Sequence, residues 1–306
     1  MDNTTNVTHT PLEIIAIKSI IFTIAAIAAV IGNTLVVIVI FQYNSTQTVT
    51  NYLVMNLSIF GTMNGLVRLP LYIVNIIADR QYYDQVGCAF HAYLGGIIFI
   101  GTIHNLMWIA VVRYLVVVKS KKLKPRHAYY FIGIIWATCT LTPAVSFLGW
   151  GKFVYVEIEK GCIPSWDKTG IIGIARGIYS AIFHYATPLL TIIYCYSFIF
   201  IFLEKKQQRM IRYSFQSPTA MNKSKVTLTM FIVFITFLMC YLSWSLLVFI
   251  IIPVAKVRVP DGVYFTSSVL VFCNYIINPF LYGYRNKNFR AGYKQAIDKI
   301  CRCGCY

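Results

Sequence analysis

Long runs of apolar residues dominate this chain, and they recur seven times along its 306 residues. Each run is long enough to cross about 30 Å of hydrocarbon as a helix, and few polar residues interrupt it. The predicted spans lie near residues 13–40, 49–77, 86–118, 126–149, 171–203, 224–252 and 262–283. A soluble domain could not hide a composition that is 58% hydrophobic. The pattern predicts an all-α integral membrane protein, a seven-transmembrane helix bundle with a short amphipathic helix 8.

Charged residues indicate which way the spans run. Basic residues crowd the segments that follow spans 3, 5 and 7, and the positive-inside rule places those segments in the cytoplasm. Seven spans then leave the N-terminus outside the plasma membrane. We expect a glycosylated extracellular segment over 1–12, with acceptor sites at Asn3 and Asn6, a transmembrane domain over 13–284, and a cytoplasmic tail over 285–306.

The net charge of +17 narrows the classes of partner. Strongly basic chains often bind nucleic acid, but here the basic residues sit in short loops beside the spans. That placement favours contact with anionic membrane lipids or with a cytoplasmic protein. We therefore predict no nucleic-acid partner.

The nine cysteines divide by compartment. Cys88 opens span 3 on the outer side and Cys162 lies in the long outer loop, so both face an oxidising space and are predicted to form a disulfide. Cys301, Cys303 and Cys305 follow a basic amphipathic segment on the cytoplasmic side, a setting typical of palmitoylation. A metal-binding or merely reduced cluster is the alternative, but no histidine lies near them, and we predict no metal site.

Each predicted span carries a short characteristic motif. The motifs are Gly32-Asn33, Asn56-Leu57-Ser58, Arg113-Tyr114, Trp136, Pro188, Phe237-Leu238-Met239-Cys240 and Asn278-Pro279-Phe280-Leu281-Tyr282. In this order and at this spacing the set resembles the rhodopsin-like (class A) G-protein-coupled receptors over essentially the whole chain. Local segments at 87–96, 147–153 and 286–290 are most similar to opsins. The resemblance implies a receptor, not an enzyme, that passes an outer signal to a heterotrimeric G protein.

One defining opsin residue is missing from this chain. Opsins hold retinal as a Schiff base on a helix 7 lysine, six residues before the asparagine of the Asn-Pro motif. That position is Phe272 here, and no lysine lies between Gly262 and Tyr284. Covalent retinal chemistry needs an amine at that depth. We therefore predict no cofactor and no covalent retinal, while non-covalent retinal binding stays open.

The resemblance places a ligand site in the outer half of the bundle. The candidate residues are Arg68, His91, Gly95, Phe99, His184, Tyr241, Tyr264, Ser268 and Phe272. Gly95 stands where amine receptors carry the aspartate that binds a cationic ligand, so an amine is not expected to be held in that way. Tyr241 replaces the family's helix 6 toggle tryptophan, and Trp244 follows it. The ligand itself, a small molecule or a peptide, is not identified by these residues.

Besides Arg113, the arginines Arg68 and Arg176 lie inside predicted spans and need an explanation, because a buried charge in a membrane is costly. Arg68 has two open interpretations: an anchor for an anionic ligand, or a structural group that snorkels or pairs with Asp79, Asp84 or Glu157. Arg176 near the start of span 5 is predicted to snorkel to the interface. His184 is expected to face the cavity or to be a satisfied buried histidine.

A second group of residues matches the family's conformational switch. The resemblance implies a transmission triad of Pro188, Ile103 and Phe237 below the ligand site. It also implies an inner trio of Arg113, Tyr196 and Tyr282, which regroups when helix 6 moves outward. The remaining switch residues are Tyr114, Asn278 and Pro279.

Several parts of that switch are altered. Val112 replaces the acid that normally neighbours Arg113, and Lys223 stands where opsins carry a helix 6 glutamate. With the inactive-state clamp absent on both sides, we expect high basal activity. Gly61 replaces the helix 2 aspartate of the family's sodium site, which removes the carboxylate that a cation would need.

Two other classes of function remain as alternatives. A signalling-dead decoy or binding receptor is compatible with the altered motifs. A seven-helix transporter or lipid scramblase would favour carboxylates or broken helices near the midplane, and no acidic residue lies in the middle of a predicted span.

Overall fold

The structure, a computed structural model, describes residues 10–42, 47–165, 170–212, 218–247, 260–285 and 287–303. Seven helices form the bundle, and an eighth follows. They are α1 (Leu12–Gln42), α2 (Val49–Ala78), α3 (Gln85–Val117), α4 (Arg126–Leu148), α5 (Ile171–Ser180 continuing as Thr187–Arg212), α6 (Pro218–Leu246), α7 (Asp261–Arg285) and α8 (Lys287–Cys303). Among the described residues, six helices are long and apolar enough to cross a membrane, and α6 holds a shorter apolar stretch, Phe231–Ser245.

The predicted spans agree with these helices to within a few residues, except around the loop between α5 and α6; the predicted end of span 6 at residue 252 lies outside the described residues. There α5 continues to Arg212 and α6 begins already at Pro218. Hydropathy marks only the part of a helix that lies in hydrocarbon, so polar turns that extend into water lie beyond its limits.

Helix α3 is the centre of the bundle. It packs against α2, α4, α5 and α6, while α1 packs against α2 and α7. Ile98 and Ile109 of α3, Ile135 of α4 and Ile192 of α5 are almost completely buried in the shared core. Apolar side chains such as Ile24 of α1 cover the outside, where lipid chains are as apolar as the core.

In the described part of the chain, π-helical turns inside α2 and α5 each carry a predicted site residue. Asn64–Arg68 interrupts α2, and Ala181–Ala186 interrupts α5. A π turn adds one residue to a helical turn and shifts the faces of the helix on either side of it. The turns hold Arg68 and His184 at the bundle interior.

The outer loop between α4 and α5 contains the one departure from the all-α prediction in the described chain. Strands β1 (Lys152–Val156) and β2 (Gly161–Ser165) form an antiparallel hairpin, joined by a short turn over Glu157–Glu159. The predicted disulfide is present between Cys88 and Cys162. It ties the hairpin across the outer end of the bundle.

Helix α8 is amphipathic, as predicted. Phe289 and Ala296 are buried against the bundle, whereas Arg290 and Lys294 are exposed. The predicted glycosylation sites Asn3 and Asn6 and the predicted palmitoylation site Cys305 lie outside the described residues. Cys301 and Cys303 belong to the end of α8, but their side chains also lie outside the described part of the chain.

Candidate ligand site and switch region

The outer half of the bundle encloses a cavity of about 570 Å³ beneath the hairpin. Its size is in the range of small-molecule sites. Seven of the nine predicted ligand-site residues line it: Arg68, Gly95, Phe99, His184, Tyr241, Ser268 and Phe272. The other two lie behind the wall. His91 faces the backbone of Cys162 at 3.4 Å, and Tyr264 donates a hydrogen bond to Glu159.

Arg68 projects from α2 toward α3 and α7. Its Nη1 lies 3.5 Å from the side-chain oxygen of Asn64, and its guanidinium lies 5.3 Å from the centre of the Phe272 ring. The Nε atom is buried and has no hydrogen-bond partner among the described residues. A Cβ at Gly95 would lie only 2.9 Å from this Nε. The glycine therefore makes room for a cation at the helix 3 position where amine receptors carry an anion.

Within the described residues, the acids proposed from sequence as partners of Arg68 contact other groups, so the pairing part of that interpretation is wrong. Asp79 pairs with Lys160 at 3.0 Å and accepts two hydrogen bonds from Thr10. Burial opposes the charge of Asp79, but the Thr10 and Lys160 contacts outweigh it and lower its pKa. Glu157 also pairs with Lys160, and Asp84 caps the start of α3. These contacts hold the hairpin turn to the end of α2.

Glu159 is the cavity residue that sequence reasoning missed. It is only 8% exposed, lines the cavity, and accepts a hydrogen bond of 3.1 Å from the Tyr264 hydroxyl. Burial raises the pKa of its carboxyl to about 7, although the Tyr264 hydrogen bond and the positive charge of Arg68 both act to lower it. In sequence it is one of several outer-loop acids, and only the hairpin brings it inward.

An aromatic cluster forms the floor of the cavity. The Phe99 ring lies 5.5 Å from Tyr185 and 5.2 Å from Tyr241, and Tyr241 lies 4.5 Å from Phe237. The Tyr241 hydroxyl is hydrogen-bonded to the hydroxyl of Tyr275 on α7. Tyr241, at the toggle position of α6, is thus linked to Phe99 of α3 and to Tyr275 of α7. The link to Tyr275 was not predicted.

Arg176 differs from its prediction, and His184 meets only one of its two predicted alternatives, since it lines the cavity. Arg176 does not snorkel: it is 9% exposed and donates hydrogen bonds to the Trp150 carbonyl and to the Ser146 hydroxyl, 2.7 Å away. His184 is 2% exposed, and neither ring nitrogen has a hydrogen-bond partner in the described chain. It packs against His104 with 5.3 Å between ring centres. The satisfied-histidine interpretation is therefore wrong.

The inner switch residues come together at the other end of the bundle. The Arg113 guanidinium interacts electrostatically with Tyr196, and Tyr196 with Tyr282. Val112 is fully buried and Arg113 Nε has no hydrogen-bond partner within the described residues. No carboxylate of the described chain pairs with Arg113. The side chain of Lys223 lies outside the described residues.

The remaining predicted switch residues lie in the core or at its inner end. Ile103, Pro188 and Phe237 are buried, as is Asn278. The carbonyl of Pro279 accepts a 3.0 Å hydrogen bond from Tyr293 of α8. Tyr114 packs against Tyr194 and Phe198 of α5.

Known proteins agree with this arrangement. Residues 32–282 match the family of seven-transmembrane receptors of the rhodopsin type. The melatonin receptor type 1A of Mus musculus is 26% identical over 296 residues, covering 92% of this chain and 80% of that receptor. The type 1B receptor of Rattus norvegicus is 27% identical over 286 residues, covering 90% and 76%. The crystal structure of squid rhodopsin gives a TM-score of 0.87 at 18% identity, over 97% of this chain and 84% of that one.

The chain therefore belongs to the rhodopsin family of seven-transmembrane receptors. It is a class A G-protein-coupled receptor, a multi-pass membrane protein whose function is signalling to heterotrimeric G proteins. Its helix 7 offers no lysine for covalent retinal. The predicted fold and receptor class are confirmed.

Proposed function

We propose that this receptor lies in the plasma membrane with its N-terminus outside and binds a small ligand in the outer cavity. The observation that carries the proposal is the position of Tyr241. Tyr241 lies on α6, the helix that moves outward when such receptors activate, and it lines the cavity. Its ring packs against that of Phe237, one turn further toward the inner side of the same helix. A ligand on the cavity floor can therefore bias the position of α6 directly.

We further propose that the unliganded receptor signals strongly. An inactive receptor of this class is held in part by charge pairs on the arginine that corresponds to Arg113. Here the neighbouring residue is the buried, apolar Val112, and Tyr196 is the group that interacts with the guanidinium. Losing about 1–3 kcal/mol of clamp energy shifts a two-state equilibrium by roughly 5–150-fold toward the open form.

Purified receptor in nanodiscs tests both parts. Nucleotide exchange is measured on a panel of heterotrimeric G proteins, first without ligand and then with melatonin or 11-cis-retinal, which the related receptors suggest as probes. We expect exchange without ligand that scales with receptor amount. Arg113→Ala should abolish it, and Val112→Asp combined with Lys223→Glu should suppress it.

Controls separate signalling loss from folding loss. Val112 is buried, so the amount of folded receptor is measured for each variant by size exclusion and by surface labelling in cells. Lys205→Glu, an exposed charge reversal at the inner end of α5, reports the effect of charge alone. Flat exchange across the panel, with folded receptor present, would contradict the proposal and favour the decoy receptor.

A further inference from the structure

Two oppositely charged side chains line the same cavity without forming a direct ion pair among the described residues. Arg68 comes from α2 and Glu159 from the hairpin turn, and both line the cavity wall. They interact electrostatically, yet they form no direct ion pair among the described residues. A buried cation and a buried carboxylate normally pair with each other or with another group.

Each of these groups retains capacity for a further hydrogen bond. Among the described residues, Arg68 Nε is a buried donor with no hydrogen-bond partner, and Nη1 has only the long contact with Asn64. Glu159 accepts one hydrogen bond, from Tyr264 to Oε1. A ligand group can therefore bind each charge without displacing a strong internal contact.

Much of the remaining cavity wall is apolar or aromatic, and Arg176 and His184 also line it. Phe99, Tyr241, Trp244 and Phe272 are among its aromatic residues. Such a surface favours a flat apolar body through area burial and ring packing.

We propose that the cavity binds a small zwitterion with an aromatic body, such as an aromatic amino acid. Its carboxylate binds Arg68, its ammonium group binds Glu159, and its ring packs on the aromatic floor. This inference deepens the proposed function, because it rests on a ligand occupying the outer cavity.

Charge balance favours a zwitterion over a singly charged ligand. Above about pH 7, where Glu159 is ionised and binding is measured, the Arg68–Glu159 pair carries no net charge, and a zwitterion adds none. A monoanion or a monocation would bind one of these two charges and leave the other in the cavity wall without a partner of its own, which is costly. Gly95 supports the carboxylate arm, because its missing side chain allows Arg68 to occupy the position where amine receptors use an acid.

The test uses three ligands that share one ring system. L-tryptophan carries both charges, indole-3-propionate lacks the amine, and tryptamine lacks the carboxylate. Binding to purified receptor in nanodiscs is measured by isothermal titration calorimetry, without G protein. We expect L-tryptophan to bind about 10-fold to 100-fold more tightly than either single-charge analogue, the range for one charge-assisted hydrogen bond.

Two variants assign each arm of the ligand to its residue. Glu159→Gln should abolish the advantage of L-tryptophan over indole-3-propionate, and Arg68→Gln its advantage over tryptamine. Glu157→Gln and Arg80→Gln, exposed charge losses at the same end of the receptor, should change neither ratio. If Arg68→Gln does not fold, Arg68→Lys keeps the charge without the guanidinium fork and should reduce the ratio.

The outcomes are distinct. Equal binding of L-tryptophan and indole-3-propionate would overturn the ammonium arm, and with it the zwitterion. Absence of binding by all three to folded wild-type receptor would overturn the whole inference. Basal nucleotide exchange is measured on the same preparation. If basal exchange is flat while the binding ratios hold, the proposal of basal signalling is wrong and the proposed ligand class stands. If basal exchange is found but the binding ratios are absent, only the proposed ligand class is wrong.

Discussion

The buried carboxyl of Glu159 makes the stability of this receptor depend on pH. Its pKa rises from an ordinary 4.5 to about 7, because burial disfavours the charged form more than Tyr264 and Arg68 favour it. The groups that face it are Tyr264 of α7 together with Arg68 and Tyr72 of α2. Glu159→Gln keeps the size and the hydrogen-bond acceptor but removes the titration. We therefore expect this variant to be more stable than wild type at alkaline pH.

The sign and size follow from linkage. Between pH 4.5 and pH 7 the unfolded carboxyl is already ionised while the folded one still holds its proton, so rising pH favours unfolding. The contribution of this carboxyl to the free energy of unfolding is fully present below pH 4.5 and is lost progressively up to about pH 7. Above that pH no further stability is lost. Because a pKa change of one is equivalent to about 1.4 kcal/mol, the total loss in the free energy of unfolding is about 3 kcal/mol. The variant does not suffer this loss.

Thermal unfolding in nanodiscs between pH 5 and pH 8 measures the effect, with the difference between variant and wild type read at each pH. The melting temperature of Glu159→Gln should exceed that of wild type at pH 8, and the gap should narrow as the pH falls to 5. Glu157→Gln is the matched control, because Glu157 lies in the same short turn but is exposed. A constant gap across the pH range, or an equal gap for both variants, would refute the reasoning.

Three further predictions concern the disulfide, the packing around two glycines and the missing retinal lysine. Cys162→Ser removes the disulfide to Cys88, which closes a loop with a sequence separation of 74. The loss should lower the free energy of unfolding by about 4 kcal/mol and reduce surface expression. An unchanged melting temperature would contradict this. Gly61→Ala places a Cβ within 2.6 Å of the Asn33 amide and should destabilise the receptor by about 1–3 kcal/mol. Gly133→Ala, with nothing within 4 Å, should be neutral or slightly stabilising, and equal melting temperatures for the two variants would count against the packing argument. After incubation with 11-cis-retinal and borohydride, mass spectrometry should find no adduct on any α7 peptide, since α7 contains no lysine.

The architecture was accessible from the sequence because the membrane restricts what an apolar run can be. Inside hydrocarbon every backbone N–H and C=O must be satisfied within the segment, so a long apolar run has to be a helix. The disulfide could be predicted on similarly local grounds, since Cys88 and Cys162 both fall on the oxidising side. The motif of each span then indicated the receptor class and the switch residues.

The chemistry of the cavity depended on contacts between residues far apart in the chain. Glu159 becomes a cavity residue only because the hairpin folds over the bundle and the disulfide holds it there. Arg176 becomes a buried donor because the Trp150 carbonyl lies within its reach. Arg68 and His184 take their directions from π turns that hydropathy does not reveal. Periodicity reports which face of a helix is apolar, but the polar partner that meets a buried charge is decided by the packing of the whole bundle.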